Sequence, residues 1–326
     1  MKPFALDHRA STETALQALA QGATAIAGGT NLVDLMKLQI TTPERLVSLK
    51  HAALGEIAQD GDGLTIGALV TNADCAADMR VREHWPLLAK AILAGASPQL
   101  RNRATTGGNL CQRTRCGYFY DTSQACNKRD PGSGCAARNG FNRIHAVLGT
   151  SDACIATYPG DMAVAMLALD AVVLTEGPAG PREIPMAQFH LKPGDNPSRD
   201  NVLEAGELIV AVRLPAPTGG VQIYRKVRDR ASYAFALVSV AVDLTMEEGR
   251  IARCAVAFGS LGTVPWRDQQ MEQVLIGETP SPVLFARAAD VLLKDAQGFG
   301  ENDFKIPLAA RALAATLNDA TRTGKA

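Results

Sequence analysis

The chain has 326 residues, 47% of them hydrophobic and 20% charged, and its 33 basic side chains balance its 33 acidic ones. This is a globular composition with enough apolar material for one large or two to three modest domains. It excludes a disordered chain, and no apolar run approaches the ~20 residues that cross a bilayer.

The first 55 residues read as strand, helix, strand, helix, strand. Thr12 to Ala20 is a short amphipathic helix with Thr12 as its cap. Thr24 to Ala27 is a buried strand that runs into Gly28-Gly29-Thr30-Asn31, after which Leu32, Leu35, Met36 and Leu38 fall at helical spacing. Leu46 to Leu49 and Leu64 to Ala68 are strands, the second following a Gly61-Asp62-Gly63 turn. Helices are expected over Thr71–Met79, Pro86–Ala94 and Asp161–Leu169, with a strand over Ala171–Leu174. Pro178 to Pro197 is rich in proline and glycine and reads as a surface loop. Leu208–Leu214 is a strand that ends in Pro215-Ala216-Pro217-Thr218-Gly219-Gly220, the strongest boundary signal in the chain. Beyond it come three strands (Val221–Tyr224, Ala236–Leu244, Ile251–Gly259) and two helices, near Pro282–Ala296 and Leu308–Asn318. The expected domains are residues 1–219 and an α+β unit at 220–326.

Charge and cysteine are concentrated in one region. Residues 101–145 carry eight Arg or Lys (Arg101, Arg103, Arg113, Arg115, Lys128, Arg129, Arg138, Arg143) against Asp121 and Asp130. No nucleic-acid motif accompanies this patch, so compensation of a buried anionic cofactor, or docking to an acidic partner, fits it better. Four of the seven cysteines, Cys116, Cys126, Cys135 and Cys154, lie on the same irregular stretch and its continuation. None of them makes a C-x-x-C pair, which argues against a zinc ribbon or a thioredoxin-like site. Wide spacing on a long loop suits a cubane iron–sulfur cluster better than a zinc knuckle. Free thiols or a zinc-organised docking module are the alternatives. Cys75 and Cys254 sit among apolar residues and read as core, and Cys111 reads as packing. The five histidines form no metal spacing, and His145, near the cysteine loop, reads as a surface residue. No paired carboxylates and no Ser-His-Asp or Cys-His arrangement point to acid–base or nucleophilic catalysis by the chain itself.

Two segments share a grammar. Ala27-Gly28-Gly29-Thr30-Asn31-Leu32 feeds a strand through two glycines into a helix start, and Ala104-Thr105-Thr106-Gly107-Gly108-Asn109-Leu110 repeats the pattern. Glycine lets the backbone approach a phosphate, and a helix start offers free N–H groups and a positive dipole end. Each alone is equally a tight turn with a capped helix. Together they suit a dinucleotide clasped from both sides, although neither is G-x-G-x-x-G and no Walker A run exists.

These two loops resemble the flavin-binding subunit of the molybdenum hydroxylases, the xanthine dehydrogenase family, and the resemblance extends over the whole chain. It includes Tyr224-Arg225-Lys226-Val227-Arg228-Asp229-Arg230-Ala231-Ser232-Tyr233-Ala234, similar to the family's lysine–arginine run. The implied fold is α+β: a two-subdomain FAD-binding fold of the vanillyl-alcohol oxidase (PCMH) type, followed by a small C-terminal sheet-and-helix domain of the CO dehydrogenase flavoprotein type. Most members lack the cysteine insertion. The stretch Gln112–Tyr120, with Cys126-Asn127-Lys128-Arg129 and Gly132–Cys135, resembles the flavoprotein subunit of three-subunit bacterial aldehyde oxidoreductases, and 4-hydroxybenzoyl-CoA reductase has a comparable insertion.

The resemblance implies that FAD is held by Ala25, Ile26, Ala27, Gly28, Gly29, Thr30, Asn31, Leu32 and Val33 in the first loop, and by Thr105, Gly108 and Asn109 in the second. Asp161 would face the adenosine–diphosphate side, its alternative being a plain helix cap. Leu208 and Lys226 would lie near the flavin ring, and Lys226 would equally suit a solvated strand end. Cys116, Cys126, Cys135 and Cys154 would ligate a [4Fe–4S] cluster within a loop at about 111–154. The implied partners are a large molybdenum-cofactor subunit and a small [2Fe–2S] subunit. Electrons from aldehyde oxidation would pass through the [2Fe–2S] centres to FAD and on to an external acceptor. No nucleic acid or membrane insertion is implied. The start Met1-Lys2-Pro3-Phe4-Ala5-Leu6-Asp7 lacks the pattern of a signal peptide, so the chain is expected in the cytoplasm, or in the periplasm if it is exported with a signal-bearing partner.

Overall fold

The computed structural model describes residues 1–8 and 11–324. The N-terminal part is a three-stranded parallel sheet in the order β1-β3-β2, from β1 (Ala5–Asp7), β2 (Thr24–Ile26) and β3 (Arg45–Ser48). Helices α1 (Thr12–Ala20) and α2 (Leu32–Lys37) make the crossovers that parallel strands require. The cap of α1 is Ser11, not Thr12: its hydroxyl accepts from the Thr14 N–H at 3.3 Å.

A second, five-stranded antiparallel sheet has the order β4-β5-β8-β6-β7. Its strands are β4 (Ile57–Asp60), β5 (Gly63–Gly67), β6 (Val172–Glu176), β7 (Arg182–Pro185) and β8 (Leu208–Leu214). Helices α3 (Asn72–Ala77), α4 (Met79–His84) and α5 (Pro86–Ala94) follow β5 in sequence. The single helix expected over Thr71–Met79 is interrupted at Asp78, whose carboxylate accepts from the N–H groups of Arg80 and Val81 and starts α4. After α6 (Pro98–Arg101), α7 (Thr106–Leu110) and α8 (Gly117–Tyr120) come the long cysteine loop and α9 (Asp161–Ala168), which is buried on every side. The expected surface loop at 178–197 contains β7 and α10 (Met186–Phe189). Ile184, Met186 and Phe189 drive their side chains into the core, and this burial outweighs the local proline and glycine content.

The C-terminal part is a four-stranded antiparallel sheet, β12-β11-β10-β9, from β9 (Val221–Val227), β10 (Val238–Glu247), β11 (Arg250–Gly259) and β12 (Trp266–Arg267). It is covered by α11 (Gln269–Leu275), α12 (Pro282–Leu293) and α13 (Lys305–Thr323). Three helices therefore follow the sheet, where two were expected. Val238, Val240, Val242 and Leu244 pack under them, while Ala241 and Ala257 join the main core that contains α9. A sheet covered on both faces reads as a continuous apolar run, as this one does. Small residues on the α9 side let the helix approach closely: a Cβ on Gly259 would meet Val164 at 2.8 Å. No helix among the described residues is long and apolar enough to cross a membrane.

Candidate functional site

Strand β2 delivers the first glycine loop directly against the second. A Cβ on Gly28 would lie 1.8 Å from the carbonyl oxygen of Arg103, so only glycine allows the two backbones to touch. Gly29 adopts φ +74°, the left-handed conformation, and its carbonyl accepts from the Val33 N–H to open α2. Asn31 takes the cap position of α2 without capping it. Its Oδ1 instead accepts from the backbone N–H of Arg113 at 2.9 Å, and its Nδ2 is buried without a partner among the described residues. The second loop is hung on the five-stranded sheet: the N–H groups of Thr106 and Gly107 donate to the carbonyls of Val70 and Ala68. Thr105 caps α7 through the Gly108 N–H.

Between the loops lies a cavity of about 690 Å³, within the size range of small-molecule and cofactor sites. Ala25 through Leu32 line it, as do Thr105, Gly108, Asn109, Asp161, Leu208 and Lys226. Val33 does not: its methyl lies behind Gly29, 3.1 Å from where a Cβ there would be. Arg101, Arg113, Arg115 and Arg228 also reach the wall, against Asp34 and Glu207. Cationic side chains, glycine backbone and an orphaned amide donor at Asn31 fit a bound diphosphate.

Asp161 is the first residue of α9, with Gly160 in the cap position, so the plain-cap alternative does not describe it. Its carboxylate accepts from Tyr224 Oη at 2.6 Å and from Lys226 Nζ at 2.8 Å, and Lys226 also donates to the Ala94 carbonyl. Lys226 is therefore no solvated strand-end lysine; it is buried and paired. Burial and the adjacent carboxylate push the Tyr224 phenol well above its ordinary range, so it remains a donor.

The four loop cysteines form their own small core with Leu35, Phe119, Ala137, Ile155 and Ala156. Cys116, Cys126 and Cys154 are buried and Cys135 is half-buried. Cys126 and Cys135 face each other across an antiparallel bridge, and all four line one small cavity. Backbone N–H groups of Tyr118 and Phe119 point at the Cys116 sulfur, and that of Ala156 donates to the Cys154 sulfur at 3.4 Å. Burial raises the free thiols, Cys116 to about 12 and Cys154 to about 11, while Lys128 pulls Cys154 the other way. Among the described residues, no three His, Cys, Asp or Glu side chains converge tightly enough for one metal ion. Four thiolates on a single zinc would lie about 3.8 Å apart. The four cysteines therefore share one small cavity, with backbone amides aimed at the sulfurs of Cys116 and Cys154, and thiolates are the donor type that iron–sulfur groups use.

Two expectations are corrected here. His145 is buried, 3% exposed, and its Nε2 lies 3.1 Å from the Cys116 sulfur. Burial, with Lys305 nearby, lowers its imidazole to about 4. Cys111 is not packing: its side chain is exposed and lines the large cavity.

Sequence comparison decides the family. The family described as "FAD binding domain in molybdopterin dehydrogenase" matches residues 2–217, and "CO dehydrogenase flavoprotein C-terminal domain" matches residues 222–319. This chain belongs to the molybdopterin dehydrogenase FAD-binding family. It is 53% identical over 325 residues to the "Aldehyde oxidoreductase FAD-binding subunit PaoB" of Escherichia coli (strain K12), covering 98% of this chain and 99% of that one. It is 27% identical to the carbon monoxide dehydrogenase medium chain of Hydrogenophaga pseudoflava, over 93% of this chain and 90% of that one. Among solved structures, quinoline 2-oxidoreductase from Pseudomonas putida 86 superposes with a TM-score of 0.76 at 25% identity, over 99% of both chains. The reconstituted CO dehydrogenase from Oligotropha carboxidovorans, at 23% identity and a TM-score of 0.78, shares the fold.

As an FAD-binding domain of this family, the chain uses residues around its cavity that sequence reasoning passed over. Gln112 and Tyr158 both donate to the Asn109 carbonyl and fix the end of the second loop. Tyr224 shares one face of β9 with Lys226, and the alternation of period two in Gln222, Tyr224 and Lys226 was the available signal.

Proposed function

We propose that this chain is the FAD- and [4Fe–4S]-carrying electron-transfer subunit of a molybdenum-containing aldehyde oxidoreductase. It would work with a large molybdenum-cofactor subunit and a small [2Fe–2S] subunit, between aldehyde oxidation in the partner and an external acceptor. The observation that carries this reading is the closeness of the flavin cavity and the four-thiol pocket: Arg113 lines the first, its backbone N–H donates to Asn31 of the first glycine loop, and its guanidinium lies over the ring of Phe119, which lines the second. The 53% identity to an aldehyde oxidoreductase FAD-binding subunit supports the choice of substrate class.

FAD supplies the site with both one- and two-electron exchange, and the protein supplies position and electrostatics. In this reading residues 1–219 form the flavin domain and 220–326 the domain that closes it. The two glycine loops hold the diphosphate through backbone N–H groups, assisted by Thr30, Asn31 and Thr105. Asp161 and Lys226, clamped by Tyr224, fix the wall contributed by α9 and β9. Cys116, Cys126, Cys135 and Cys154 would hold the cluster, which supplies one-electron exchange, and Lys128, Arg113 and Arg129 would offset its negative charge. Location in the periplasm would follow export with a signal-bearing partner.

Replacing Cys126 with Ser tests the assignment. The purified complex should lose the four irons of this chain's cluster and that cluster's share of the visible absorption, while the iron of the small subunit and the flavin bands remain. Unchanged iron content would show that Cys126 is not a ligand. A colourless protein containing zinc would favour the docking module instead.

A further inference from the structure

His145 lines neither the flavin cavity nor the pocket of the four thiols. Its imidazole is buried beside Tyr118, with ring centroids 6.4 Å apart, and Nε2 points at the Cys116 sulfur at 3.1 Å. Nδ1 is buried and has no hydrogen-bond partner among the described residues. This asymmetry favours the tautomer protonated on Nε2. A proton on Nδ1 would leave a buried N–H without an acceptor and turn the Nε2 lone pair toward sulfur, whereas a proton on Nε2 gives the sulfur a donor and leaves only an unpaired lone pair.

The ring is held from the C-terminal part of the molecule. The His145 N–H donates to the Asn142 carbonyl, and the His145 carbonyl accepts from Lys305 Nζ at 2.9 Å and Asn302 Nδ2 at 3.4 Å. Lys305, at the start of α13, is fully buried and also donates to the carbonyls of Ile144 and Ser260; its contacts in the structure are carbonyls rather than carboxylates. Asn142 in turn donates to Phe299. Residues 142–146 are therefore gripped by residues 299–305, and the grip aims the imidazole at Cys116.

We propose that His145 is a positioning residue for the iron–sulfur centre: its Nε2–H donates to the Cys116 thiolate, and the Asn302–Lys305 segment sets that geometry, so that the C-terminal domain tunes the cluster's reduction potential. The proposal rests on the cluster reading above. An N–H donor stabilises the more negative, reduced state, so removing it makes reduction harder.

The test uses the intact complex. His145→Leu should keep its flavin absorption and its iron, while an EPR-monitored redox titration shows a shift of the cluster to more negative potential. His145→Gln, which retains an amide donor, should return toward the unsubstituted value. A potential in His145→Leu equal to that of the unsubstituted complex would overturn the proposal. A measurement on unsubstituted protein decides the matter even if His145→Leu loses iron. With 15N-labelled histidine, pulsed EPR of the reduced cluster should show a histidine 15N coupling, and its absence would refute the hydrogen bond. An unsubstituted complex with no iron beyond that of the [2Fe–2S] subunit would sink the cluster reading itself; four further irons with no histidine coupling sink only this inference.

Discussion

A methyl group on Gly28 would lie 1.8 Å from the carbonyl oxygen of Arg103, and that oxygen belongs to backbone that leads straight into the second glycine loop. Nothing flexible is available to give way, so the substitution must push the two loops apart. Gly28→Ala should destabilise the chain by about 1–3 kcal/mol, as overpacking does, and the purified protein should carry much less flavin per chain than the parent. An unchanged ratio of flavin to protein absorbance would show that the contact between the loops does not shape the cavity. Glycine pairs are visible in a sequence, but the identity of the backbone they press against is not. Gly28 was legible as a site residue and Arg103 was not.

The cysteine loop is held as an element by one carboxylate. Asp200 accepts from Arg113 Nε at 2.7 Å and from Lys128 Nζ at 2.6 Å, and the same two cations donate to the carbonyls of Ser198 and Pro197. Asp200→Asn removes the charge while keeping the shape. It should cost about 1 kcal/mol, since all three groups are only partly shielded from water. Trypsin should then cut the loop at Lys128 and Arg129 faster than in the parent, and an identical cleavage time course would contradict the pinning role. The sequence suggested a plain surface loop ending at Pro197. It gave no reason to pair Asp200 with residues more than 70 positions earlier, because loop-to-loop pairing carries no periodic signal. Strands β8 to β11 were legible because their patterning is strong, whereas β7, α10 and α11 were hidden by length and by proline.

Across the whole molecule, buried histidines couple stability to pH. Burial holds His145 and His190 at about 4 in the folded chain, against an ordinary value of 6.5. Between those values the unfolded chain binds more protons than the folded one, so stability rises with pH through the window and falls as the solution is acidified from about 6.5 toward 4. The urea midpoint should be lower at about pH 5 than near neutrality, and His190→Gln should flatten that dependence. Equal slopes for variant and parent would show that His190 does not contribute.

The sequence by itself determined the alternation of elements, the two glycine loops and the gathering of four cysteines on one loop, because periodicity, backbone freedom and ligand chemistry are local properties. Only the tertiary structure decided that Asp161 pairs with Lys226 and Tyr224, that Cys111 faces the cavity, and that His145 is buried against Cys116. These contacts join residues tens of positions apart, and each becomes favourable only once packing has removed water from the groups it brings together.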